Sequence, residues 1–154
     1  MTDAASSCWP GTLRRYLVLS IVLHLVWEAL QLPLFTIAAD PWRKQAFAVF
    51  HCTLGDGMIA GLSLLAALAV MAPAKWPEEG LRGTWLMTLA LSVGYTVFSE
   101  WLNVSVRGSW AYGPLMPTLP VLGTGLAPLL QWVVVPTLAL ALATRRVTWS
   151  QNAS

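Results

Sequence analysis

Five ionisable side chains stand inside otherwise apolar stretches of the chain: His24, Glu28, His51, Asp56 and Glu100. Such groups cost at least ~2.5 kcal/mol each near a bilayer midplane, so they default to a functional reading. Histidine and carboxylates in a dry pocket serve as general acid and base, because burial brings a carboxyl group's proton affinity toward neutrality. A metal is the alternative. His24 and Glu28, at i and i+4, offer two ligands from one helix turn, and His51, Asp56 and Glu100 could complete a mixed nitrogen and oxygen shell for iron or zinc. The same residues could relay protons with a transported solute, or hydrogen-bond one another and only fix helix register. Acid–base chemistry without a cofactor is the favoured reading.

Spacing groups these residues. His24, Trp27, Glu28 and Gln31 fall at i, i+3, i+4 and i+7 and share one helical face, as do Ser92, Thr96, Glu100, Asn103 and Arg107. His51 and Asp56 are five apart, about 140° around a helix, so both cannot point into one centre. The candidate catalytic set is His24, Glu28, Glu100 and Asn103. Trp27, Gln31, Trp101, Trp110 and Tyr112 are the candidate substrate contacts, and Gln131 is a further uncharged polar residue in an apolar segment. A shift of 72 residues lays Ser20 on Ser92, Glu28 on Glu100 and Gln31 on Asn103, but His51 on Gly123 and Asp56 on Pro128, which leaves a duplication open.

These residues need apolar elements to carry them. Of 154 residues, 56% are hydrophobic and 10% charged, against roughly 25% charged in soluble domains. The expectation is an all-α integral membrane protein, one domain over residues 1–154, with four helices at 16–38, 46–72, 83–104 and 124–143, each near the 20 or so residues a span requires. Arg14, Arg15, Lys75, Arg82, Arg145 and Arg146 then share one side, and Arg43, Lys44 and Arg107 lie opposite. That bias predicts cytoplasmic termini in a bacterial inner membrane. Tryptophans 9, 42, 76, 85, 101, 110 and 149 fall near span ends, as in interfacial belts. At about 1.5 Å per residue, all five ionisable residues fall between the midplane and the outer surface, so one pocket should open outward.

Pro33, Pro128 and Pro136 are expected to kink the first and fourth spans. Gly55, Gly57, Ala60 and Gly61 should allow close helix contact. The segment 105–123 is rich in Pro, Gly, Trp and Tyr with one charge, Arg107. It is either a lid over the pocket or a loop lying on headgroups.

Several classes are excluded. The basic residues are scattered, so no nucleic-acid footprint exists. No Gly-x-Ser-x-Gly, phosphate loop or dinucleotide fingerprint occurs. Cys8 and Cys52 are too few for a disulfide scaffold. The apolar run after Arg15 holds His24 and Glu28 and is too long for a secretory h-region, so an uncleaved first span is expected. The expected partners are the bilayer and a lipid-like small molecule, with a second copy or a membrane subunit as the alternative.

The stretch His24-Leu25-Val26-Trp27-Glu28-Ala29 resembles the His-x-x-x-Glu helix of the emopamil-binding-protein family, integral membrane sterol isomerases with a four-helix core. The resemblance spans about ten residues of the first span and a separate glutamate. It implies that His24, Glu28 and Glu100 move protons at a double bond, with Asn103 and Trp101 as helpers. His51, Asp56 and the third loop have no counterpart in it.

Overall fold

Backbone geometry follows the proline and glycine punctuation of the chain. The computed structural model describes residues 9–145; Cys8, Arg146 and Trp149 lie outside them. Helix α1 runs Trp9–Gln31 and stops where Leu32 precedes Pro33, because a residue before proline is disfavoured in the α conformation. Two 3-10 turns follow, Leu32–Leu34 and Thr36–Ala39, with Phe35 extended between them. Pro33 therefore ends the first helix rather than kinking it.

Helix α2 runs Trp42–Met71 from Pro41 to a left-handed Ala72. Helix α3, Leu81–Glu100, continues into a π-helical turn, Trp101–Val106. Helix α4, Leu126–Arg145, holds Pro136 inside it. Pro128 stands in its first turn, where a missing N–H costs no helical hydrogen bond.

The four helices pack in a ring: α1 against α2 and α4, and α3 against the same two. What they bury inverts the soluble pattern. The buried residues of α1 are Thr12, Tyr16, Ser20, His24 and Gln31, and those of α3 are Thr84, Thr88, Ser92, Thr96 and Glu100. Nearly all are polar. Val18, Val22, Val26 and Leu30 of α1 and Leu54, Met58 and Leu62 of α2 face outward. Three of the buried α3 hydroxyls are satisfied within their own helix: Thr88, Ser92 and Thr96 each donate to the carbonyl four residues earlier, at 2.8, 2.8 and 2.9 Å.

Three segments, Trp9–Leu34, Trp42–Met71 and Leu126–Arg145, are long and apolar enough to cross a membrane. The predicted third span differs. Helix α3 has the same length as α4, but its stripe of hydroxyls ending in Glu100 lowers its hydropathy.

An apolar cluster of Tyr16, Ala60, Leu64, Trp76, Trp132, Ala139, Leu140 and Ala143 fills the ring from beside the carboxylates toward its other end. Trp76, grouped by sequence with the interfacial tryptophans, is only 5% exposed and belongs to this core. Small residues let α2 approach α1: a Cβ on Gly57 would meet Ile21 at 3.0 Å, and one on Gly61 would meet Leu17 at 3.1 Å.

Ala60 is fully buried in the cluster, so Ala60→Leu is expected to destabilise by about 1–3 kcal/mol through overpacking. Leu54→Ala, on the outward face, should change stability by no more than about 0.5 kcal/mol. Unfolding of the solubilised variants reads both.

Candidate functional site

Three helices deliver polar groups to one point near the C-terminal end of α1. Gln131 of α4 sits there, 2% exposed. Its Nε2 lies 3.1 Å from Glu28 Oε1, 2.8 Å from Asp56 Oδ2 and 2.8 Å from His24 Nδ1. Gln31 Nε2 donates to Glu28 Oε1 at 2.7 Å and to Gln131 Oε1 at 3.1 Å, and Trp27 Nε1 donates to Gln31 Oε1 at 3.1 Å. The chain of donors thus runs from an indole through two amides to two carboxylates.

A glutamine amide has two hydrogens, and three acceptor-capable atoms surround Gln131 Nε2, of which His24 Nδ1 and Asp56 Oδ2 are the nearest. His24 Nδ1 also lies 3.4 Å from Asp56 Oδ2, and its Nε2 is buried without a partner. The imidazole is further held against Trp132, with ring centroids 4.7 Å apart.

Glu100 is organised separately, by the third loop. Tyr112 donates its hydroxyl proton to Glu100 Oε2 and accepts from the Gly125 backbone N–H at 2.8 Å. Burial, and then this bond to Glu100, holds the Tyr112 pKa above its ordinary value, so the phenol stays a donor. Backbone pairing anchors the loop onto the 3-10 segment: Thr36 N–H donates to Ala111 O at 3.0 Å and Gly113 N–H to Leu34 O at 2.8 Å. Glycine is needed where these strands and rings converge. A Cβ on Gly125 would meet Met116, Tyr112 and Pro128 at 3.1 to 3.2 Å. The loop is therefore fixed over the polar end of the ring.

Between the two groups lies a cavity of about 560 Å³ walled by all four helices, with Glu28, Asp56, Glu100, Asn103, Trp110 and Gln131 in its lining. The volume is within the range of small-molecule sites. Asn103 stands on the π turn, a feature common at functional sites, and donates to Ser99 O at 2.9 Å and Ser99 Oγ at 3.2 Å. The Trp110 indole N–H is buried beside Glu100 but outside hydrogen-bond geometry with any acceptor.

The candidate residues thus sort by position. His24, Trp27, Glu28 and Gln31 form one network, and Glu100 and Tyr112 another. Asn103 and Trp110 line the cavity. Trp101 stands apart: it is 52% exposed, with its ring against Phe98 at 6.1 Å, because it lies on the outer side of the helix end. His51 is exposed at the cavity wall, stacked on Phe47 at 5.6 Å, and does not join Asp56. Among the described residues no group of three or more His, Cys, Asp or Glu is placed to hold a metal ion; the amide of Gln131 occupies the space between His24, Glu28 and Asp56. Gln131 is the residue whose importance the sequence understated, its one signal being an amide inside an apolar helix.

Gln131→Leu leaves Glu28 and Asp56 without their shared donor and should destabilise by at least about 1–3 kcal/mol, measured by unfolding. Tyr112→Phe should speed hydrogen–deuterium exchange in 109–125 while α4 beyond Gln131 keeps its protection. No family model, curated protein or solved structure matches the chain.

Proposed function

We propose that the chain is an integral membrane protein of four spans, α1 to α4, with both termini in the cytoplasm of a bacterial inner membrane. Its cavity then carries proton transfer on an isoprenoid or other lipid-like molecule. The apolar outward faces support the membrane reading, as does the length of α3: 20 residues reach about 30 Å, a hydrocarbon core's thickness. Its hydroxyls point inward, away from lipid. The excess of Lys and Arg on the terminal side supports the orientation. A reporter active only in the cytoplasm should work at either terminus and fail when inserted near Arg43; activity near Arg43 instead would reverse the topology.

One observation carries the chemistry: Glu28 and Glu100, from helices on opposite sides of the ring, face the same largely apolar cavity. A protonated carboxyl on one side adds its proton to one carbon of a double bond, and the carboxylate opposite removes a proton from the neighbouring allylic carbon. The double bond moves, one proton enters, one leaves, and no oxidant is needed. Glu28 is held by Gln31 and Gln131, and Glu100 by Tyr112, so both are oriented by donors. His24 acts through Asp56 and Gln131 as a positioning residue, and Asn103 lies beside Glu100.

Lipid that co-purifies with the protein, identified by mass spectrometry, is the first substrate to assay. In D₂O the wild type should introduce deuterium at a carbon of that lipid, and Glu28→Gln or Glu100→Gln should slow this by about 10²-fold or more. The absence of bound lipid together with wild-type behaviour of both variants would overturn the reading. So would stoichiometric iron, copper or zinc lost in His24→Ala and His51→Ala.

A further inference from the structure

The two halves of the chain repeat in their burial as well as in a few residues. On the same shift of 72, buried Thr12, Tyr16, Ser20 and His24 of α1 correspond to buried Thr84, Thr88, Ser92 and Thr96 of α3. The second helices agree over their middle. Thr53, Ala60, Leu64 and Ala67 correspond to Gly125, Trp132, Pro136 and Ala139, all buried, whereas buried Pro128, Gln131, Leu140 and Ala143 correspond to Asp56, Ile59, Leu68 and Met71, which are not. On this partial correspondence the groove between α2 and α3 matches that between α4 and α1.

The two grooves differ in one place. Gln131 bridges the α4–α1 groove by reaching His24 and Glu28. Its counterpart in α2 is Ile59, which has no polar atom to offer, and Asp56 replaces Pro128. Helices α2 and α3 pack about as extensively as α4 and α1, and their groove opens locally, where the cavity reaches the surface. Of the residues lining the cavity, the exposed ones are Phe47 and His51 on α2, Tyr95 on α3 and Ser109 in the third loop. The mouth thus lies on the flank of the ring, more than a turn inside the helix ends. In its wall, a Cβ on Gly55 would meet nothing within 4 Å. Toward the outer end of the cavity the buried Trp110 N–H lies beside Glu100 but outside hydrogen-bond geometry with it.

We propose that the α2–α3 groove is a lateral entrance through which the apolar chain of a lipid-like molecule passes from the bilayer into the cavity, and that Gln131 seals the matching groove. This rests on the membrane reading and lipid-like ligand proposed above. A mouth on the helix flank faces acyl chains rather than water, and its rim of Phe47 and Tyr95 is aromatic. The lining includes no Lys or Arg, so an anionic headgroup has no partner inside. The apolar chain enters, and a hydrogen-bond acceptor on it meets Trp110.

The test uses the full chain in phosphatidylcholine vesicles containing a long-chain alcohol with a terminal diazirine, photolysed and mapped by peptide mass spectrometry. Adducts at Cys52, Tyr95 and Ser99 should exceed those at Leu23, Trp27 and Ala127 by about tenfold. Gly55→Trp, which fills the entrance, should cut the cavity adducts by a similar factor while those at outward Val22 and Leu62 persist. Gly55→Leu serves if the tryptophan variant does not fold. Equal labelling of both grooves, cavity labelling unchanged in the Gly55 variants, or surface adducts without cavity adducts would each overturn the proposal. Cavity labelling without carboxylate-dependent deuterium exchange would leave the entrance standing and remove only the proton-transfer reading.

Discussion

Gln131 carries two amide hydrogens and meets acceptors from two other helices, Glu28 and His24 of α1 and Asp56 of α2. Removing that amide would leave two carboxylates facing one another in an interior with little water, where unpaired charge is most costly. The position of α4 is therefore tied to the ionisable residues of its neighbours, and the cavity takes its shape from that tie. His24 depends on it closely: its Nδ1 lies 2.8 Å from the amide nitrogen and 3.4 Å from Asp56 Oδ2, and its Nε2 is buried without a partner.

Around that point the rest of the ring follows an inverted pattern, with hydroxyls inside and aliphatic side chains outside. In water this would be unstable, because the outward leucines and valines would remain hydrated. In the membrane reading it is consistent, since lipid gives no drive to bury aliphatics and helix association relies on small residues and polar contacts. Gly57, Gly61 and Ala60 supply the close approach. The serine and threonine hydroxyls bond mainly to their own helix, so the interhelical polar contacts concentrate on the glutamine and carboxylate network.

Much of this was legible in the residues. Helical spans, the loop prolines and the stripe His24, Trp27, Glu28, Gln31 follow from apolar length and the 3.6-residue period, and the helices begin and end within a few residues of prolines and glycines that punctuate them. The end of the first helix shifted most, because Pro33 fixes it at Gln31. What could not be read was the partner of each group. Gln131 is one amide among apolar neighbours, and only the packing of α4 against α1 brings it to residues 100 or more positions away. The π turn likewise rotates Trp101 outward while keeping Asn103 at the cavity, a separation that a regular helical period does not predict.

The 72-residue correspondence reads differently by residue type and by burial. By residue type its second half fails, with His51 opposite Gly123 and Asp56 opposite Pro128. By burial it holds along α1 and α3 and over the middle of α2 and α4. Packing constrains which positions face inward, and it constrains chemistry only where the groups touch. The corresponding grooves differ in what stands at one matching place: Gln131 of α4 reaches His24 and Glu28 of α1, whereas Ile59 of α2 offers α3 no polar side-chain atom. The cavity opens on the side where that amide is absent.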